Sequence, residues 1–143
     1  MERQGVFAPE TAQAARERYE NLTTAAQGVV RDVSRAMAFD TTEYDDRVTP
    51  DVIESAQEAI FASLLEVHIG SQSEFESWQE STDFEIEEIG SEHVDNVVWH
   101  APPFADTAVA ATFQDETEAA VDTLRRQAFG RLYVDTLRNG DSR

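Results

Sequence analysis

The chain has 143 residues, 41% of them hydrophobic, which is enough to bury a core of its own. It carries 29 acidic residues against 11 basic ones, a formal net charge of −18, and no cysteine, which excludes disulfides, thiolate catalysis and cysteine metal sites. No apolar run approaches the roughly 18 residues of a membrane helix, and the opening MERQGVFAPE lacks the basic-then-apolar order of a secretory signal, so a soluble, cytoplasmic protein is expected.

After a short lead, Pro9 and Glu10 suit the first turn of a helix. Ala15, Tyr19, Leu22, Ala26, Val29, Val30, Val33 and Met37 then follow three-and-four spacing, which predicts one amphipathic helix over about 9–38. Residues 39–48 read as a polar connection. Their acids lack the spacing and turn glycine of a calcium loop. Thr49-Pro50-Asp51 is a strong helix start, and Ile53, Ala56, Ile60, Leu64 and Val67 continue it to about 68, with Gly70 as the stop. These two helices should form an antiparallel hairpin. Ser73 can cap a short third helix over about 73–81.

The period then changes to two. Strands are predicted at about 83–89, 95–100 and 107–113, separated by a turn at Gly90-Ser91 and by Pro102-Pro103. Short links between consecutive strands suggest a three-stranded antiparallel meander. Phe84, Ile86, Val97, Trp99, Val109, Ala111 and Phe113 would turn one face to the helices. Val98, His100, Ala108, Ala110 and Thr112 would share the other, with the acids of the first strand. A last helix over about 115–138 opens on acids and ends on arginines, both favourable for its dipole. The fold class is α+β in one domain: an N-terminal helical hairpin, a meander and a long C-terminal helix.

All eleven basic residues are arginine, and none falls between Arg47 and Arg125, where 18 of the acids lie. The net charge therefore sits in the middle of the chain. At about 1 M salt the Debye length is about 3 Å, so such a surface suits a salt-rich cytoplasm. Without a basic footprint, nucleic acid is not an expected partner. The lysine-free composition, the WHAPP turn (Trp99 to Pro103) and the block AVAATFQDETEAAVDTLRRQAFGRLY (Ala108 to Tyr133) resemble a family of small acidic proteins of haloarchaea without an established activity. That resemblance implies multimolar salt and supplies no site residues.

Candidate chemistry is sparse. His93 and His100, with Glu92 or Asp95, are of the residue types that bind zinc or manganese, but their spacing fits no known metal motif, and no cofactor is expected. His68 reads as a core histidine. Arg125, Arg126, Arg131 and Arg138 form the one basic cluster of the acidic half, read as partners of the protein's own carboxylates. The expected function is a non-enzymatic interaction or structural protein. Alternatives are a small metal-dependent or hydrolytic enzyme using His93 and His100, or an acidic decoy for a basic partner. Val98, His100, Ala108, Ala110 and Thr112, of which Val98, Ala108 and Ala110 are apolar, are the candidate interface of a homodimer, which could also use the long helices. The competing expectation is a monomer in which residues 71–82 or the N-terminal lead cover that face.

Overall fold

The computed structural model describes residues 1–90 and 94–139. The chain is α+β, built on a mixed five-stranded sheet. In order it forms β1 (Glu2–Gln4), α1 (Ala12–Glu20), α2 (Thr23–Ala36), α3 (Thr41–Arg47), α4 (Pro50–Ser63), β2 (Val67–Ser71) and α5 (Gln72–Glu80). There follow β3 (Glu85–Ile89), β4 (Asn96–His100), β5 (Thr107–Phe113), α6 (Thr117–Ala128), a π-helical turn (Phe129–Tyr133) and α7 (Val134–Asn139).

The helix expected over 9–38 is two helices. The first begins at Ala12 because Thr11 caps it, its hydroxyl accepting from Ala14 N at 3.0 Å. The break falls at Leu22. The carbonyls it frees are satisfied by side chains: Tyr19 O accepts from the buried Gln57 amide of α4 at 2.6 Å, and Glu20 O from the Thr23 hydroxyl at 2.9 Å. Residues 41–47, expected as loop, are helical because Asp40 and Glu43 cap each other's backbone.

The helix expected to reach residue 68 stops at Ser63, where donors from distant segments occupy its terminal carbonyls. Leu64 O accepts from Val6 N and Phe7 N at 3.0 and 2.9 Å, and Leu65 O from Arg125 Nε at 3.0 Å. Glu66 N in turn donates to Phe7 O at 2.8 Å. Gly5 sits at this joint with φ 93°, and a side chain there would run into Leu65 O. The chain leaves as β2, not as helix. Ser71 then caps α5, in the place expected of Ser73, through a reciprocal box with Glu74.

The sheet order is β1-β2-β4-β5-β3. β2 runs antiparallel to β1 and β4, and β4 antiparallel to β5, while β3 pairs parallel with β5. The expected meander is therefore incorrect: β5 lies between β3 and β4, and two N-terminal strands extend the other side. Gly90, with φ 109°, lets the chain leave β3 where a side chain would overlap Thr112 Oγ1.

The register also corrects the expected faces. Trp99 lies opposite Ala110 and Val98 opposite Ala111, and directly paired residues share a face. Val98, Val109, Val67 and Ile69 join Phe61, Leu124, Phe129 and Tyr133 in the main core, under α1, α4 and α6. Val97, Trp99 and Ala110 face the opposite way and are covered by Phe75 of α5, with Trp78 and Ile86 beside them. Placing Trp99 with Val109 was one residue out. The helix expected over 115–138 is interrupted by the π-helical turn.

Candidate functional site

His100 ends β4 and is fully buried. Its Nδ1 lies 2.6 Å from Glu66 O and its Nε2 2.7 Å from the Tyr133 hydroxyl. A carbonyl only accepts, so Nδ1 carries the proton and donates to Glu66 O. Nε2 must then accept, and the Tyr133 hydroxyl donates to it. Burial first, and then the nearby His68 and Arg125, lower the imidazole pKa to about 4, opposed by the bond to Glu66. The ring is neutral at physiological pH, and both nitrogens are occupied. Tyr133 is brought to it by the π-helical turn, whose wide ring closes with Val134 N donating to Phe129 O. That turn stacks Phe129 on Tyr133 at 6.2 Å and points both rings at Phe61. The phenol pKa is raised by burial, so Tyr133 remains a donor.

His68 points to the opposite face of the sheet, since it pairs with Trp99 and His100 is the next residue along β4. It stacks on Trp99 at 5.4 Å, within a layer completed by Phe75, Trp78 and Phe84. Desolvation lowers its pKa, opposed by Glu66. The two described histidines therefore cannot share a ligand. Glu92 and His93 lie outside the described residues. Among the described residues, no three His, Asp or Glu side chains are grouped to hold a metal ion.

The candidate interface residues do not form one face. Val98 and His100 point into the main core, while Ala108, Ala110 and Thr112 lie on the side covered by α5. Val98, His100, Ala108 and Ala110 are fully buried. Helix α5, residues 72–80, lies over the Trp99 side of the sheet, where Phe75 packs with Ala110.

The arginine cluster divides. Arg131 pairs with Glu87 at 3.0 Å and Arg138 with Glu58 at 3.5 Å, as expected of structural pairs. Arg125 instead closes the α4 joint. A cleft of about 480 Å³ beside Arg138 is lined by Tyr19, Glu54, Glu58, Phe129, Val134 and Leu137. Burial, then Glu58 and Glu54, push the Tyr19 phenol up to about 12. Both partners of the Glu58–Arg138 ion pair line that cleft.

The feature that sequence reasoning missed is on α2. Ala26, Val30 and Ser34 are its buried row, packed along α4. Val29, Val33 and Met37 form a second row, about 60° round the helix, and are 45%, 51% and 57% exposed. Val52 of α4 is 41% exposed. The spacing had suggested one broad buried stripe, and only the position of α4 shows that half of it is uncovered. Residues 21–39 contain a single acid, Asp32, with Arg31 and Arg35, in a chain of 29 acids. None of the described aspartates and glutamates is buried, so acid-coated surface surrounds this acid-poor helix.

No helix among the described residues is long and apolar enough to cross a membrane. No curated protein and no solved structure matches the chain. The family of unknown function DUF5809 matches residues 6–134, from the arm that closes the α4 joint, through the α2 surface and the His100–Tyr133 pair, to the start of α7. With that match over most of its length, the chain belongs to the DUF5809 family.

Proposed function

We propose that this protein is a non-enzymatic interaction or structural protein of a salt-rich cytoplasm, and that it works through the outer surface of α2. The exposed row Val29, Val33 and Met37 on an acid-poor helix carries this reading. A soluble protein keeps contiguous apolar side chains on its surface at a cost in solubility, and such patches mark binding surfaces. The engagement of both His100 nitrogens supports the same reading, because it removes that imidazole from acid-base or metal chemistry. The lysine-free, carboxylate-rich surface supports the solvent: screening at high salt removes the repulsion that would otherwise oppose contact. The test is to replace Val33 by Glu and Val29 by Glu in separate variants, purified in about 3 M potassium chloride, where charges are screened within a few Å. Both variants are expected to fold and to lose the association expected of the natural sequence in light scattering and on a native gel. Association unaffected by either substitution would reject α2 as the working surface.

A further inference from the structure

We infer that the α2 surface pairs with α2 of a second copy of this chain, about a twofold axis passing beside Val33. The inference rests on the reading of α2 as an interaction surface and names its occupant. Two observations select a second copy.

The first is the spacing of the row. Val29, Val33 and Met37 recur at i, i+4 and i+8, so the row is symmetric about its middle residue. A twofold axis there sets Val33 against Val33 and lays Val29 of each copy on Met37 of the other. This is the self-complementary arrangement that an isologous contact requires. The side of the helix flanking the row carries Ala25 and Ala36, small enough for a second helix to approach, with Asp32 beside them about 100° from Val33. Arg31 and Arg35 lie about 200° and 160° round the helix from Val33 and stay clear of the contact.

The second is charge. Two copies of net charge −18 repel over almost any pair of faces. Helix α2 is the exception, with Asp32 as its single acid. Contact there is opposed by fewer carboxylates than elsewhere, and salt screens the repulsion that remains, from Asp32 and from the acids of the neighbouring α4. The contact is modest. A 14-residue helix is about 21 Å long, and a single helix-on-helix contact of that length falls at the low end of specific interfaces, below about 1,200 Å² in total. A weak dimer that strengthens with salt and protein concentration follows.

The absence of cysteine from the chain makes the geometry directly testable. Single cysteines are introduced at Val33, at Val29, at Met37 and, as a control facing away, at Arg31. The proteins are oxidised in about 3 M potassium chloride, where screening is complete. Val33→Cys should link to itself. Val29→Cys and Met37→Cys should link when mixed and much less alone, and Arg31→Cys should not link, because a disulfide needs Cα atoms within about 7 Å. Light scattering of the natural sequence should rise with concentration towards twice 16.0 kDa, and Val33→Glu should hold it at the monomer with an unchanged circular dichroism spectrum. A monomer mass at every concentration, a dimer that survives Val33→Glu, or equal linkage at Arg31 and Val33 would each overturn the twofold pairing. If the natural chain stays monomeric but Val33→Glu abolishes binding to a different protein, the pairing falls and the interaction reading stands. If no association depends on Val33, both fall.

Discussion

His100 should make the fold lose stability between pH 7 and pH 5. Its folded pKa is lowered from 6.5 to about 4, chiefly by burial. Protonating it in place would put a charge in the core and set an N–H of Nε2 against the donating Tyr133 hydroxyl. Once unfolded, the ring titrates near 6.5. Between the two values the unfolded chain holds more protons, so stability rises with pH. The contribution is intact above pH 6.5, is lost as the pH falls towards 4, and changes no further below that. With one unit worth about 1.4 kcal/mol, the loss from pH 7 to pH 5 is about 2 kcal/mol, against a total stability on the order of 5–15 kcal/mol. His68 shifts in the same direction, and a His100→Gln comparison removes its share. Urea unfolding at pH 7, 6 and 5 in high salt should show a steep loss for the natural chain and a much shallower one for His100→Gln. Nitrogen-resolved spectra should show His100 neutral, with its proton on Nδ1, through pH 5. Equal pH slopes for the two proteins, or a His100 resonance titrating near 6.5, would refute the buried, donor-satisfied arrangement.

Trp99→Ala should cost roughly 3–5 kcal/mol by opening a cavity under α5, and its indole should fluoresce as a fully buried one; a nearly neutral substitution would mean that α5 does not seal that face. Gly90→Ala should destabilise by more than about 1 kcal/mol, because φ 109° and the Thr112 hydroxyl leave no room for a side chain; an unchanged melting temperature would contradict the β3–β5 pairing. Lowering potassium chloride below about 0.5 M should expand or unfold the protein, since screening then lengthens beyond a few Å; a circular dichroism spectrum and midpoint equal to those in concentrated salt would remove the argument from charge.

Elements governed by neighbours in sequence were legible. Thr49 and Pro50 start α4 where their chemistry says they should, and β4 and β5 match their predicted spans closely, because alternation and breakers are local signals. What failed depended on distant partners. The break at Leu22 keeps the apolar spacing on both sides, and it is held by Gln57, 38 residues from Tyr19. The end of α4 is fixed by Val6, Phe7 and Arg125, which no local window contains. The strand at Val67–Ser71 was hidden because Ile60, Leu64 and Val67 share helical spacing. The histidines could be found from sequence, but their placement on opposite faces followed from a strand order that short links concealed. The α2 surface was hidden for the opposite reason: its apolar row looked like core.

The insertion of β5 between β3 and β4 has a consequence in time. During synthesis β3 and β4 emerge first, joined by only six residues, Gly90 to Asp95. With nothing between them they are free to close as a hairpin, the arrangement their sequence suggests. That hairpin is a local, fast-forming competitor, whereas the final order needs β5 to pair on both edges at once, with β3 parallel to it. Parallel and non-local pairings form slowly because the loop entropy is lost before the contacts are gained. Folding of this sheet is therefore gated on residues 107–113. A chain halted before Phe113 should hold β3 in the wrong partnership, and refolding from denaturant should show a slow phase in which β3 and β4 part to admit the strand between them.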